Sequence, residues 1–245
     1  CLPARAVHRS RRGVFDPQNR TARHPARALT TPAMEGLRAS ASRHHLFISG
    51  AFHSAPEHGL PENGTLYLLS PDEPGFWAHM KATPEFLDGI ADPVDRWSAR
   101  VVTQIAQELG GTAYLPFGGP PWHPFIQWAL ASGRARPSPV TLMVHDRMGL
   151  WASWRGAVWL EGQHPLPEPP PSPCTDCAAP CMSACPVGAL SPTGYDTLAC
   201  HGFLDQAAGK DCLSYGCAAR AACPLSETYG RLGEQSAWHM RHFHR

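Results

Sequence analysis

The stretch that decides how this chain is read is "CTDCAAPCMSACPVGAL", residues 174–190. It places Cys174, Cys177, Cys181 and Cys185 within twelve residues and closes them with Pro186. A second group follows at Cys200, Cys212, Cys217 and Cys223, the last again followed by a proline, Pro224. Eight of the nine cysteines therefore lie between 174 and 223, and only Cys1 stands apart. Clustered thiols have three common uses: disulfide staples, zinc ligands, or ligands of an iron–sulfur cluster. No apolar segment follows the early arginines as a secretory signal would require, so a reducing compartment, the cytoplasm, is expected. That disfavours disulfides and leaves metal binding as the expectation.

The spacing separates the two metals. Zinc ribbons usually carry two separated C-x2-C knuckles, and this sequence has one. The run Cys174-x2-Cys177-x3-Cys181-x3-Cys185-Pro186 is instead one residue longer than the C-x2-C-x2-C-x3-C-P run of two-cluster bacterial ferredoxins. In those proteins the last cysteine of each run ligates the other cluster. Applied here, that rule groups Cys174, Cys177, Cys181 and Cys223 around one [4Fe-4S] cluster. Cys185, Cys200, Cys212 and Cys217 then hold the second. The small residues Ala178, Ala179, Ser183, Ala184 and Gly188 suit close approach of backbone amides to sulfide. A zinc-stabilised interaction module stays as the alternative.

Upstream, "EGQHPLPEPPPSP" (161–173) has the composition of a stiff, polyproline-like linker. It divides residues 34–160 from a cysteine-rich part, 174–245. In the first part "LFISGAF" (46–52) and "GTLYLLS" (64–70) read as strands. Residues 92–111 read as a helix, with Val94, Trp97, Val101, Ile105 and Leu109 on one face and Gly110-Gly111 as the stop. Shorter helices are expected at "PGFWAHMKAT" and "HPFIQWALASG". Residues 138–160 are expected to form a hairpin that turns at Asp146, Arg147, Met148 and Gly149. Residues 1–33 hold seven arginines against Asp16, so a net charge of +1 conceals an acidic remainder. They are read as a disordered or non-native leader, with the folded protein starting at Met34.

The segments "VTLMVHDRMGLWASWRGAVWL" (140–160) and "CTDCAAPCMSACPVGAL", joined by a proline-rich connection, resemble epoxyqueuosine reductase. In that family a cobalamin-binding domain leads into a two-cluster ferredoxin domain, and reductive dehalogenases share this pairing. "GTLYLLSPDEPGFWAHM", "ADPVDRWSARVV" and the 140–160 block are also similar, in order, to CblC-type cobalamin-processing proteins. The resemblance implies an α+β fold, with a nitroreductase- or CblC-like N-terminal domain followed by a small two-cluster ferredoxin-type domain. It implies single-electron delivery through two [4Fe-4S] clusters to cobalamin, or a flavin, or a substrate in the N-terminal domain. It also implies that Arg155 holds an anionic group beside the ring. Two departures stand out. "GGPPWHPFIQWALASG" (118–133) lacks the family's catalytic aspartate, and the given sequence ends at Arg245 without the helical repeats that grip tRNA. The tRNA reaction itself is therefore not expected, and a non-enzymatic electron carrier is the alternative.

Other candidates weigh less. Trp151, Trp154 and Trp159 could flank a flat macrocycle, although such residues more often fill a core. Trp154, Arg155 and His145 are the candidate cofactor contacts, with His145 expected at the solvent-facing turn. His44-His45 and the tail His239, His242 and His244 lack the thiols or acids that would complete a metal site. His201 is read as lying beside a ligand, not as one. "YLPFGGPP" (114–121) is not a phosphate loop, and no nucleophile motif is present. No apolar run reaches the ~20 residues needed to span a bilayer. The expected partner is a redox protein or a small-molecule electron donor, with neither membrane nor nucleic acid.

Overall fold

Pro93 opens the longest helix, where its missing N–H costs nothing. Over Pro93–Glu108 the residues Val94, Trp97, Val101 and Ile105 recur every three or four positions, and all are buried. Gly110, in the left-handed region at φ +66°, ends it. This computed structural model describes residues 31–244, and the chain is a mixture of helices and small antiparallel sheets.

In chain order the first part comprises α1 (Pro32–Ser42), β1 (Leu46–His53), β2 (Gly64–Pro71), α2 (Gly75–Lys81), α3 (Pro84–Leu87) and α4 (Pro93–Glu108). Then follow β3 (Thr112–Tyr114), α5 (Phe125–Ala131), β4 (Ala135–Pro137), β5 (Met143–His145) and β6 (Gly156–Glu161). The main sheet has the order β1-β2-β6-β3 and is antiparallel throughout. Every residue of β2 is buried, as a central strand covered on both faces requires. One face carries α4 and a core that includes Trp97, Val101 and Tyr67. The other carries α5 and a core of Phe125, Trp128, Leu66 and Trp154.

One expectation is corrected. The 138–160 hairpin is not formed. A tight turn does join His145 to Gly149 through reciprocal backbone hydrogen bonds of 3.0 and 2.9 Å. However, β5 pairs with β4, drawn there by the Arg134–Asp146 ion pair at 2.8 Å. Beyond the turn, the Leu150 N–H donates to the Ser226 hydroxyl at 2.9 Å instead of to a facing strand. The strand resumes only at Gly156, where β6 fills the gap between β2 and β3.

Helix α1 begins ahead of Met34. Thr31 caps α1 by accepting the Met34 N–H at 3.3 Å, and the helix begins at Pro32. The remainder of the leader, residues 1–30, lies outside the described residues. Residues 161–173, read as a stiff linker, make contacts along their length. The Thr65 hydroxyl donates to the Gly162 carbonyl at 2.8 Å, and Tyr67 meets His164 Nδ1 at 2.6 Å. Further along, Arg136 reaches the Pro170 carbonyl at 3.2 Å. The segment is strapped along the sheet.

The cysteine-rich part is built from short pieces: β7 (Leu190–Ser191), β8 (Gly194–Tyr195), α6 (Thr197–Leu204), α7 (Lys210–Tyr215), α8 (Ala218–Ala221), α9 (Pro224–Thr228) and α10 (Gly233–Phe243). It shares its core with the first part. Val140, Val144 and Leu150 pack with Cys181, Leu190, Ala219 and Cys223. Trp238 of α10 lies against Trp77 at 5.6 Å, and the Tyr229 hydroxyl donates to the Pro71 carbonyl. Gly149 takes φ +57°, and a Cβ there would meet the Ser226 amide at 2.4 Å, so only glycine permits this close approach.

Candidate functional site: two thiol-lined cavities

The backbone presents the eight thiols from turns and helix starts. Cys174 and Cys177 lie in an irregular turn, and Cys181 sits in a single 3-10 turn over Pro180–Met182. Ala179 precedes it in the left-handed region, and its N–H points at Cys177 Sγ, 3.4 Å away. Cys223 stands at the N-terminal end of α9, where Pro224 starts the helix. Cys200 is on α6, Cys212 on α7, and Cys217 immediately precedes α8. Each Cys-Pro pair thus marks a place where the chain leaves a thiol and changes direction.

These segments enclose two cavities. One, of about 50 Å³, is bordered by Cys174, Cys177, Cys181 and Cys223, with Val144 and Leu150 in its wall. The other, of about 160 Å³, is bordered by Cys185, Cys200, Cys212 and Cys217, together with Trp151, Tyr195, Arg220, Arg231 and His239. No cysteine borders both. Electrostatic neighbourhoods divide the same way. Burial first, then the adjoining Cys177, Cys223 and Cys181, push the Cys174 thiol up. Burial likewise raises Cys212, reinforced by Cys217, Cys185 and Cys200. Cys181 and Cys200 are raised as well, burial leading in both, while the Tyr195 hydroxyl, 3.2 Å from Cys200 Sγ, opposes the rise there. Four thiolates facing one void repel each other, so they need a positive centre to be held together as anions.

All eight described cysteines are free thiols. Among the described residues, no three His, Cys, Asp or Glu side chains come close enough to hold a single metal ion. The thiols line the two cavities.

The candidate cofactor contacts of the first part do not converge. His145, expected in solvent, is fully buried. Its Nδ1 accepts the Arg147 and Met148 amides at 3.0 and 3.3 Å, and its Nε2 donates to the Ser49 carbonyl at 2.6 Å. Burial lowers its pKa to about 4. Trp154 is buried with Trp128 and Phe125, its indole N–H without a partner. Arg155 turns instead to Asp95 at 3.5 Å and Ser153 at 3.2 Å, with its Nε buried and unpaired. Burial pulls its pKa down. None of the three borders either thiol cavity or the cavity of about 210 Å³ beside Gly50 and Tyr67. The tryptophans form no sandwich: Trp151 packs with Met148 and Tyr229, apart from Trp154 and Trp159.

His201 stacks on Phe243 at 4.6 Å and meets His244 at 2.7 Å. His239, read as an exposed tail residue, lines the larger cavity. Burial, then Arg231 and Arg155, hold it neutral with a pKa of about 2. Sequence reading missed Tyr195, Arg220 and Arg231. Only Arg220 had a signal, standing one helical turn after Cys217. No family model, curated protein or solved structure matches this chain. Among the described residues no helix is long and apolar enough to cross a membrane.

Proposed function

We propose that this chain is an iron–sulfur redox protein that passes single electrons through two [4Fe-4S] clusters in a reducing compartment such as the cytoplasm. Cys174, Cys177, Cys181 and Cys223 would hold one cluster, and Cys185, Cys200, Cys212 and Cys217 the other. One observation carries the reading. The eight thiols border two separate cavities, and the division is the one that ferredoxin spacing implies. The donor chemistry fits: thiolates are the usual ligands of such clusters, and the voids suit a group larger than one ion. A bound cluster supplies one-electron chemistry. The chain's own contribution is to fix the thiols, keep water from the buried Cys181 and Cys223, and donate the Tyr195 hydroxyl to Cys200.

The separation of His145, Trp154 and Arg155 favours a carrier that serves a partner protein or small molecule over a corrinoid enzyme. Anaerobically purified protein should be brown, with about eight irons and eight acid-labile sulfides per chain. Stoichiometric zinc without sulfide would replace this reading with a zinc-stabilised interaction module. Titration with cobalamin separates the two redox readings. A shift to the base-off spectrum supports corrinoid binding, and an unchanged spectrum with clusters intact leaves the carrier.

A further inference from the structure

The two cavities have unlike surroundings. Among the described residues no charged side chain borders the cavity of Cys174, Cys177, Cys181 and Cys223; Val144, Leu150, Leu225 and prolines contribute to its wall. Two of its thiols are buried, Cys181 at 6% exposure and Cys223 at 9%. The cavity of Cys185, Cys200, Cys212 and Cys217 has Arg220 and Arg231 among its lining residues, and none of its four thiols is fully buried. Among the described residues Arg220 forms no ion pair. Arg231 lies over Trp151 at 5.1 Å, donates through Nε to Ser236 at 3.0 Å, and has the buried Glu73 carboxylate as a partly offsetting neighbour, which leaves Arg220 as the stronger candidate. Hydrogen bonds reach sulfur in both quartets: the Ala179 amide to Cys177 at 3.4 Å and the Cys181 and Met182 amides to Cys181 in one, the Tyr195 hydroxyl to Cys200 at 3.2 Å and the Ala218 amide to Cys212 in the other.

Adding an electron to a thiolate-bound cluster adds negative charge. An apolar, water-poor cavity opposes this, whereas nearby cations and solvent favour it. We propose, resting on the iron–sulfur reading, that Arg220 and Arg231 set the Cys185 quartet at the higher potential, so that electrons enter at the Cys174 quartet and leave from the Cys185 quartet. In the internal step one electron moves: the reduced first cluster is oxidised and the second is reduced. The first is then re-reduced by an external low-potential, one-electron donor.

The test is an anaerobic, EPR-monitored dithionite titration of the full chain and of Arg220→Gln, Arg231→Gln and Tyr195→Phe. The wild type should show two midpoints. Arg220→Gln and Arg231→Gln should each lower the higher one by at least a tenfold change in the equilibrium, about 59 mV for one electron, and leave the lower in place. Tyr195→Phe alters a partly exposed residue, and should move the same midpoint in the same direction without disturbing the fold. Iron-replete protein with a single shared midpoint, or variants that shift the lower midpoint or neither, would overturn the assignment while leaving the iron–sulfur reading intact. Protein without iron would overturn that parent reading itself.

Discussion

His145 makes the stability of this fold sensitive to acid. Both ring nitrogens are committed: Nδ1 accepts two backbone amides and Nε2 donates to Ser49. A second proton on Nδ1 would leave those amides without their acceptor inside the protein. Asp146 Oδ1 stands 3.0 Å from Nδ1, but that carboxylate already pairs with Arg134. Arg134 and Arg147 both oppose a positive ring, and burial is the largest cause holding the pKa at about 4, against 6.5 for a free imidazole. Each pKa unit corresponds to 1.36 kcal/mol, so the shift amounts to about 3 kcal/mol of stability. The unfolded chain binds the proton first, so this stability is present in full above pH 6.5. It is lost as pH falls toward 4. The assay is anaerobic thermal unfolding between pH 4 and 7.5 for wild type and His145→Gln, whose amide can both donate and accept. The variant should be less stable near pH 7, with the difference closing as pH falls. A difference between the two proteins that stays constant with pH would refute the reasoning.

Three further outcomes follow from the geometry. Truncation to Met34 removes the Thr31 cap and should cost about 1 kcal/mol, read as a lower melting temperature than a chain starting at Thr31; equal melting would show the cap to be idle. Gly149→Ala should loosen α9, because the new Cβ collides with Ser226, and lower the iron content by weakening the hold on Cys223; full iron with unchanged melting would count against this. Cys181→Ala and Cys212→Ala should each remove about half of the iron and leave different residual EPR signals, whereas identical residual signals would contradict the division into two quartets.

The helix at Pro93–Glu108 and strands β1 and β2 were legible because a one-sided apolar period of 3.6 and a short run of β-rich residues are local signals. That the eight thiols would lie near one another was legible from their crowding between 174 and 223. What failed depended on contacts distant in sequence. Residues 150–155 carry strand-like composition, yet Leu150 answers to Ser226, and no local pattern encodes that. His145 looked like a turn residue because it is one; its burial comes from Ser49 and Phe47 on β1. Tyr195 on β8 and Arg231, just ahead of α10, are brought to the cavity of Cys185 by contacts between segments distant in sequence.

The thiols around the two cavities are also nested along the chain. Cys185 to Cys217 lies wholly within the interval from Cys181 to Cys223, one loop inside another. Closing a loop costs entropy that grows slowly with its length, so the two enclosures carry nearly equal closure costs. What distinguishes the smaller one is its outer anchor: the Ser226–Leu150 contact ties the segment that follows Cys223 to the first part of the chain.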